Sequence, residues 1–342
     1  MNVIFVDDSF PFDGLTPRDE PMGGAQKALV YLAEAMAARG HAVTVLNRCS
    51  VARDNRGVAW RPIDGGARPD RADLLVALRN PVLLEAVPAT SHALWVTTPG
   101  QSLLRGDSAQ ALAQVRDVRL VFMGPAHRAT WREDDPLASI IVPGVPEVYR
   151  RAEALGGYWP PRAVVTTHPR MDMDWLVSLW TRKIEPLIKG AELHIFSGSL
   201  IAGPQGRTVP EEVRDLWRQI EAAAGQGVRV RRPMPDHDMA DEFFHARAHL
   251  YPGGLGEPYA FTLAESQAVG TPGVTRRQGA AAERIVDGRS GFLTPDDEAF
   301  ANCAILCLKE DIVYRGRTKD ARAMQRGRTW DAAAAEFEAL AV

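Results

Sequence analysis

Tyr251-Pro252-Gly253-Gly254-Leu255-Gly256-Glu257-Pro258-Tyr259-Ala260-Phe261-Thr262-Leu263-Ala264-Glu265 is the stretch from which the fold of this 342-residue chain is most directly read. It leaves the end of an apolar strand, crosses a glycine-rich loop that includes Gly256, and enters a helix. A strand that passes through glycines into a helix is one unit of a βα alternation, and loops at such strand ends are where open α/β sheets bind ligands. With the helix beginning near Phe261, the amides of Tyr259, Ala260, Phe261 and Thr262 form its N-terminus and can hold a diphosphate. Glu265, about one turn in, can accept hydrogen bonds from paired hydroxyls such as those of a ribose. Glu257 lies in the loop, eight positions earlier.

The same alternation runs outward in both directions. In the first half, apolar strands are expected at 3–6, 41–46, 74–78, 93–96 and 120–123. A helix over 25–39 recurs on Ala25, Ala28, Leu29, Leu32 and Met36, with Gly40 as its stop. After the proline-rich connections Val142-Pro143-Gly144-Val145-Pro146 and Trp159-Pro160-Pro161, a second series follows. Its strands are expected at 163–167, 192–196, 228–230, 250–251 and 273–275, with helices at 175–184, 210–224, 236–246 and 261–269. Roughly 150 residues per domain gives two domains, both Rossmann-like, at 1–150 and 151–318. The alanine-rich tail, 319–342, is expected as one terminal helix anchored by Trp330, Phe337 and Leu340 and packing back on the first domain. Two doubly wound domains facing one another would enclose a cleft between their loop edges.

Composition narrows the partners. Hydrophobic residues are 46% and charged residues 24% of the chain, the balance of an ordinary globular protein. A net charge of -3 disfavours nucleic acid as the main partner. The opening Met1 to Asp8 lacks the features of a signal peptide, and the longest uncharged stretch, 86–104, carries Pro88, Pro99 and Gly100 and cannot span a membrane. The expectation is a cytoplasmic protein with at most peripheral membrane contact. Cys49, Cys303 and Cys307 read as structural thiols.

Other candidate sites are weaker. Gly23-Gly24 closes the long 7–22 connection just before a helix, where glycines let an anion approach the backbone or merely make the turn. A dinucleotide fingerprint is lacking there, so an NAD enzyme is disfavoured. His245 and His249 are four apart, but a strand is expected by Leu250, so a zinc clamp is disfavoured and no metal is expected. Asp7-Asp8, Asp134-Asp135 and Asp296-Asp297 read as loop caps, with Asp7-Asp8 at a strand end. Arg315, Arg317, Lys319, Arg322, Arg326 and Arg328 read as a solvated helix face. Opposed carboxylates with water between them, the hydrolase arrangement, are not evident.

Taken in order, the motifs resemble the retaining glycosyltransferases of family 4, which have the GT-B fold and a Glu-x7-Glu signature. Glu257 and Glu265 match both acidic positions, and ESQAVGTPGVT, from Glu265 to Thr275, is similar to the run that follows in that family. MGGAQKALVYLAEAMAARGHAVTVL, VPGVPEVY and AAAERIVDGRSGFLTP resemble its first glycine loop, its hinge and its donor-closing segment, so the likeness covers nearly the whole chain. The resemblance implies a metal-independent, hexosyltransferase-like enzyme of glycoconjugate or polysaccharide biosynthesis. It would need no cofactor beyond its nucleoside-diphosphate sugar and would act on a small-molecule, glycan or lipid-linked acceptor. It implies that Glu265 holds the ribose, Glu257 lies near the donor sugar, the intervening amides take the diphosphate, and Gly23 and Gly24 close the site from the first domain. Arg170, after the first strand of the second domain, stands where the family's diphosphate arginine belongs.

Two positions depart from the pattern. The lysine that accompanies the arginine is replaced by Trp175, and Thr97 stands where a histidine is frequent; neither His92 nor His127 is at that position. These departures leave a nucleotide-sugar-binding protein with little transfer activity as the alternative reading.

Overall fold

The structure, a computed structural model, describes residues 1–151 and 159–341. The chain divides into two compact units, one comprising Met1–Pro146, Gly256–Tyr259 and Arg328–Val342, the other Glu147–Leu255 and Ala260–Gly327.

The first unit is built on eight strands: β1 (Asn2–Val6), β2 (Ala42–Asn47), β3 (Arg53–Asn55), β4 (Val58–Pro62), β5 (Ala72–Leu78), β6 (Ala89–Trp95), β7 (Arg119–Phe122) and β8 (Ala138–Ile140). Their order is β3-β4-β2-β1-β5-β6-β7-β8, parallel except where β3 pairs antiparallel with β4. Val3 faces Val43 on one side and Leu74 on the other, so β1 is central. That placement explains its uninterrupted apolar run, because a parallel strand is covered on both faces, and Val3 to Val6 are fully buried. Helix α1 (Gly24–Ala38) follows the long connection and precedes Gly40, whose φ of +90° few other residues adopt. The polar β3, the short edge strand β8 and β4 carry no clear period-two apolar signal and are additions to the expected strands.

The second unit has six parallel strands: β9 (Arg162–Val165), β10 (Glu192–Phe196), β11 (Val228–Arg231), β12 (Ala248–Tyr251), β13 (Gly273–Arg276) and β14 (Gly291–Thr294). Their order, β11-β10-β9-β12-β13-β14, reverses direction between β9 and β12, the topological switch point of a Rossmann-like sheet. Helix α2 (Met173–Leu179) continues into a π-helical turn at Trp180–Ile184. Helix α3 (Asp236–His245) precedes β12, and helix α4 (Phe261–Val269) joins β12 to β13. From Leu263 to Val269 every residue of α4 is buried, three of them polar.

The tail differs from the expected single helix. Helix α5 (Asp297–Lys309) is followed by α6 (Asp311–Gln325) in the second unit, and a separate helix, α7 (Trp330–Glu338), lies in the first. The break has a local cause: after Gly327 the chain restarts with Thr329 as N-cap, its hydroxyl accepting from the Ala332 amide at 3.1 Å. In the first unit Trp330 and Phe337 meet Trp95 with ring centroids 6.5 and 5.1 Å away, and the Arg328 guanidinium donates to the Val142 carbonyl. Val342 lies outside the described residues.

The basic run is a solvated face only in part: Arg315 and Lys319 are exposed, and the others are half-buried. Arg322 Nε donates to the Val269 carbonyl and Arg326 Nε to that of Ala268, each at 2.8 Å, so two of these arginines cap the C-terminus of α4. Arg317 lies over the Phe292 ring at 5.0 Å. Gly270 ends α4 with φ +114°, and a Cβ there would stand 2.6 Å from Arg322 Nε. Gly270→Ala should therefore lower the unfolding free energy by about 2 kcal/mol, measured by urea denaturation. Gly190→Ala, also at positive φ but with open space around it, should cost about half as much.

Candidate functional site

The C-terminal ends of β9, β12 and β13 bring three connections together at the switch point of the second unit. The first carries Thr166, Thr167, His168 and Arg170; the Arg170 amide donates to His168 Nδ1 at 3.2 Å, and its side chain is exposed. The second is the glycine loop. Gly253 has φ +72°, and the Gly254 carbonyl lies so close to Gly279 that a Cβ on Gly279 would stand 2.4 Å from it. The third starts at Arg276, which sequence reasoning missed.

Arg276 organises the loop from beneath. Its Nε donates to the Pro252 carbonyl at 2.8 Å and its Nη2 to that of Gly253 at 3.3 Å, while Asp172 pairs with the same guanidinium. That guanidinium lies 4.7 Å over the ring of Trp175, whose Nε1 donates to Asp297 Oδ1 at 3.0 Å. The position that lacks the expected lysine thus carries a stacked arginine instead. A basic residue closing the strand next to the switch point was the available signal.

Helix α4 supplies the predicted amide-lined end. It starts at Phe261 with Ala260 as N-cap, a residue whose side chain makes no capping hydrogen bond. Its opposite end is capped by Arg322 and Arg326, so the helix dipole presents positive potential at Phe261 and Thr262. Glu265, 3% exposed, lies one turn further along. The structure groups Gly256, Glu257 and Tyr259 with the first unit rather than with the 151–318 domain, and the Tyr259 hydroxyl donates to the Pro143 carbonyl at 3.4 Å.

Beneath the first turn of α4 lies a buried polar chain. Thr262 Oγ1 and Thr166 Oγ1 are 2.7 Å apart, Thr166 Oγ1 is 2.9 Å from His249 Nε2, and His249 Nδ1 is 2.8 Å from Ser266 Oγ. Both ring nitrogens are thereby engaged, which removes His249 from any zinc pair with His245. Among the described residues no three His, Cys, Asp or Glu side chains are grouped as a metal would need. Complete burial pulls the His249 pKa down to about 3.

The first unit has its own switch point, between β1 and β5. Asp7 is fully buried, accepts from the Ser9 amide at 3.3 Å and from the Ser9 hydroxyl, and its Oδ1 finds no partner among the described residues. Burial raises its pKa while the Ser9 bonds oppose the rise. Asp8 accepts from Asn80 at 2.7 Å and Arg79 at 3.3 Å, and Arg79 has φ +66°. Gly23 and Gly24 begin α1, yet Gly23 has an ordinary φ of -66°; what glycine provides there is an uncovered backbone. His127 occupies both nitrogens on backbone groups, accepting from the Met123 amide at 3.2 Å and lying 2.8 Å from the Thr98 carbonyl, so it supports the Thr97-Thr98 segment. Burial raises the Cys303 and Cys307 thiols to about 11 and about 12, leaving them poor nucleophiles at neutral pH.

His249 makes stability depend on pH. Its folded pKa lies below the unfolded value near 6.5, so the unfolded chain binds the extra proton as pH falls through that value. The His249 contribution should fall by about 1.4 kcal/mol per pH unit below 6.5, continuing towards pH 3. Urea unfolding of the native chain and of His249→Gln between pH 7 and 5 should show a steeper loss in the native chain.

Residues 164–310 match the family described as Glycosyl transferases group 1. The D-inositol 3-phosphate glycosyltransferase of Thermomonospora curvata is 30% identical over 138 residues, 39% of this chain and 31% of that protein. The corresponding enzyme of Acidothermus cellulolyticus is 28% identical over 141 residues, 36% of this chain and 31% of that protein. The chain thus spans about a third of the length of the curated relatives it matches. Among solved structures, sucrose-phosphate synthase from Thermosynechococcus elongatus superposes with a TM-score of 0.74 at 17% identity, covering 99% of this chain and 98% of that one. Anabaena HepE in complex with UDP-glucose superposes at 0.68 with 16% identity, covering 99% of each chain. No helix among the described residues is long and apolar enough to cross a membrane. The protein has the GT-B fold, and its residues 164–310 match the group 1 glycosyl transferase family.

Proposed function

We propose that this chain transfers a sugar from a nucleoside diphosphate to an acceptor hydroxyl in the cytoplasm, retaining the anomeric configuration and using no metal. The observation that carries this reading is the polarity of α4: its C-terminal carbonyls are capped by Arg322 and Arg326, and its N-terminus at the switch point has no side-chain cap. Such an end attracts an anion, and a departing diphosphate is the anion whose charge grows during glycosyl transfer. The first-turn amides would bind its oxygens, with Arg170 as the mobile cation. Glu265 would accept the ribose hydroxyls and Glu257 would lie near the sugar. Arg276 holds the carbonyls of Pro252 and Gly253, and would thereby keep the glycine loop in shape for the donor. UDP is the first nucleotide to test, because HepE was solved with UDP-glucose. Gly23 and Gly24 would serve the donor as a second glycine loop, and the Asp7 segment would meet the acceptor, a small molecule, a glycan or a lipid-linked sugar.

A nucleotide-sugar-binding protein without turnover is the second reading, favoured by Trp175 at the expected lysine position and by the pairing of Arg276 with Asp172. Turnover separates the two. UDP at 100 times its dissociation constant should stabilise the native chain by about 2.7 kcal/mol in a thermal-shift assay. Glu265→Gln, which keeps the shape of this buried side chain, should lose most of that shift; an unchanged shift would overturn the ribose assignment. With a productive donor, Arg170→Ala should lower kcat about a hundredfold while nucleotide affinity changes much less, and EDTA should leave the native rate unchanged. Donor binding with no hydrolysis or transfer would favour the binding protein.

A further inference from the structure

The chain Thr262, Thr166, His249 and Ser266 can be hydrogen-bonded in only two consistent directions, because each hydroxyl has one proton and a neutral imidazole has one donor and one acceptor nitrogen. In the inward arrangement Thr262 donates to Thr166, Thr166 donates to His249 Nε2, His249 Nδ1–H donates to Ser266, and Ser266 donates to the Leu263 carbonyl, 3.1 Å away. In the outward arrangement the three side-chain bonds reverse and the bond to the Leu263 carbonyl is given up: Ser266 donates to Nδ1, Nε2–H to Thr166, and Thr166 to Thr262. The Thr262 proton is then released towards whatever lies at the α4 N-terminus. The inward arrangement makes four bonds within the protein and the outward one three, so the inward one prevails until an acceptor is present. An anion accepting from Thr262 supplies the fourth bond, and a charge-assisted one.

We infer that His249 is a positioning residue whose tautomer sets the direction in which the Thr262 hydroxyl donates, and that a diphosphate at the first turn of α4 reverses the chain so that Thr262 donates to it. The inference rests on the reading of α4 as the diphosphate seat. It explains why a polar ring stands in the buried strand β12: an apolar side chain there could not relay the change, and an amide has a fixed donor end and a fixed acceptor end at any one orientation. The protons balance. Each hydroxyl keeps its own and rotates about its C–O bond, while the imidazole proton moves from Nδ1 to Nε2 by exchange with water.

The test is nitrogen NMR of the histidine-labelled native chain, with the His249 signals assigned by their loss in His249→Gln. The expected result is an Nδ1–H tautomer in the free protein and an Nε2–H tautomer with saturating UDP. Thr262→Val should bind UDP about tenfold more weakly by calorimetry and keep the Nδ1–H tautomer when saturated. Thr262→Ser should restore both the affinity and the tautomer change. UDP binding with an unchanged tautomer, or Thr262→Val binding as tightly as the native chain, would overturn the inference and leave the donor-site reading standing. If calorimetry finds no binding of UDP, GDP or ADP to the native chain, both fail.

Discussion

The second unit turns on the asymmetric termination of one buried helix. At its C-terminal end α4 meets Arg322 Nε and Arg326 Nε on its last carbonyls and a glycine in a backbone conformation that other residues rarely adopt. At its N-terminal end Ala260 offers no cap. The residues from Leu263 to Val269 are all buried, so the first turn is the part of the helix that a ligand at the switch point would meet, at the positive end of its dipole. Capping one end and leaving the other uncapped concentrates positive potential where β9 and β12 diverge. The buried Glu265, Ser266 and Gln267 on this helix become intelligible in that setting, as polar groups kept inside for orientation rather than for packing.

The surrounding loops show what stands where the family resemblance leads one to expect a lysine. Trp175 presents an aromatic face in its place, and Arg276, arriving from a different strand, lies over that face and holds two carbonyls of the glycine loop. Turning those carbonyls towards Arg276 leaves fewer backbone acceptors to repel an incoming phosphate. The positive charge is partly offset by Asp172, so the role that fits Arg276 is to shape the loop, while Arg170 stands exposed beside it.

The sequence made the two-series βα alternation legible because buried parallel strands must be written as apolar runs, as in Val3 to Val6. It made the Glu257 to Glu265 segment legible because a strand end, glycines and a helix start occur in fixed succession. Features set by distant partners were not legible. Nothing local distinguishes Arg322 and Arg326, which cap a helix more than fifty positions earlier, from a solvated basic face. The tail reads as one helix because alanine favours helix on either side of Gly327, and a threonine N-cap at Thr329 is too weak a local signal to divide it. The spacing of His245 and His249 disfavours a zinc clamp without saying what His249 does instead; only the fold reveals that Thr166 and Ser266 occupy both its nitrogens.

The central claim is that the uncapped first turn of α4 is the seat of a nucleoside diphosphate, and the most direct measurement is a crystal structure of the native chain soaked with UDP. The account predicts phosphate oxygens about 3 Å from the first-turn amides of α4, with the ribose hydroxyls on Glu265. Diphosphate density elsewhere in the chain, with that turn occupied by ordered water alone, would contradict it.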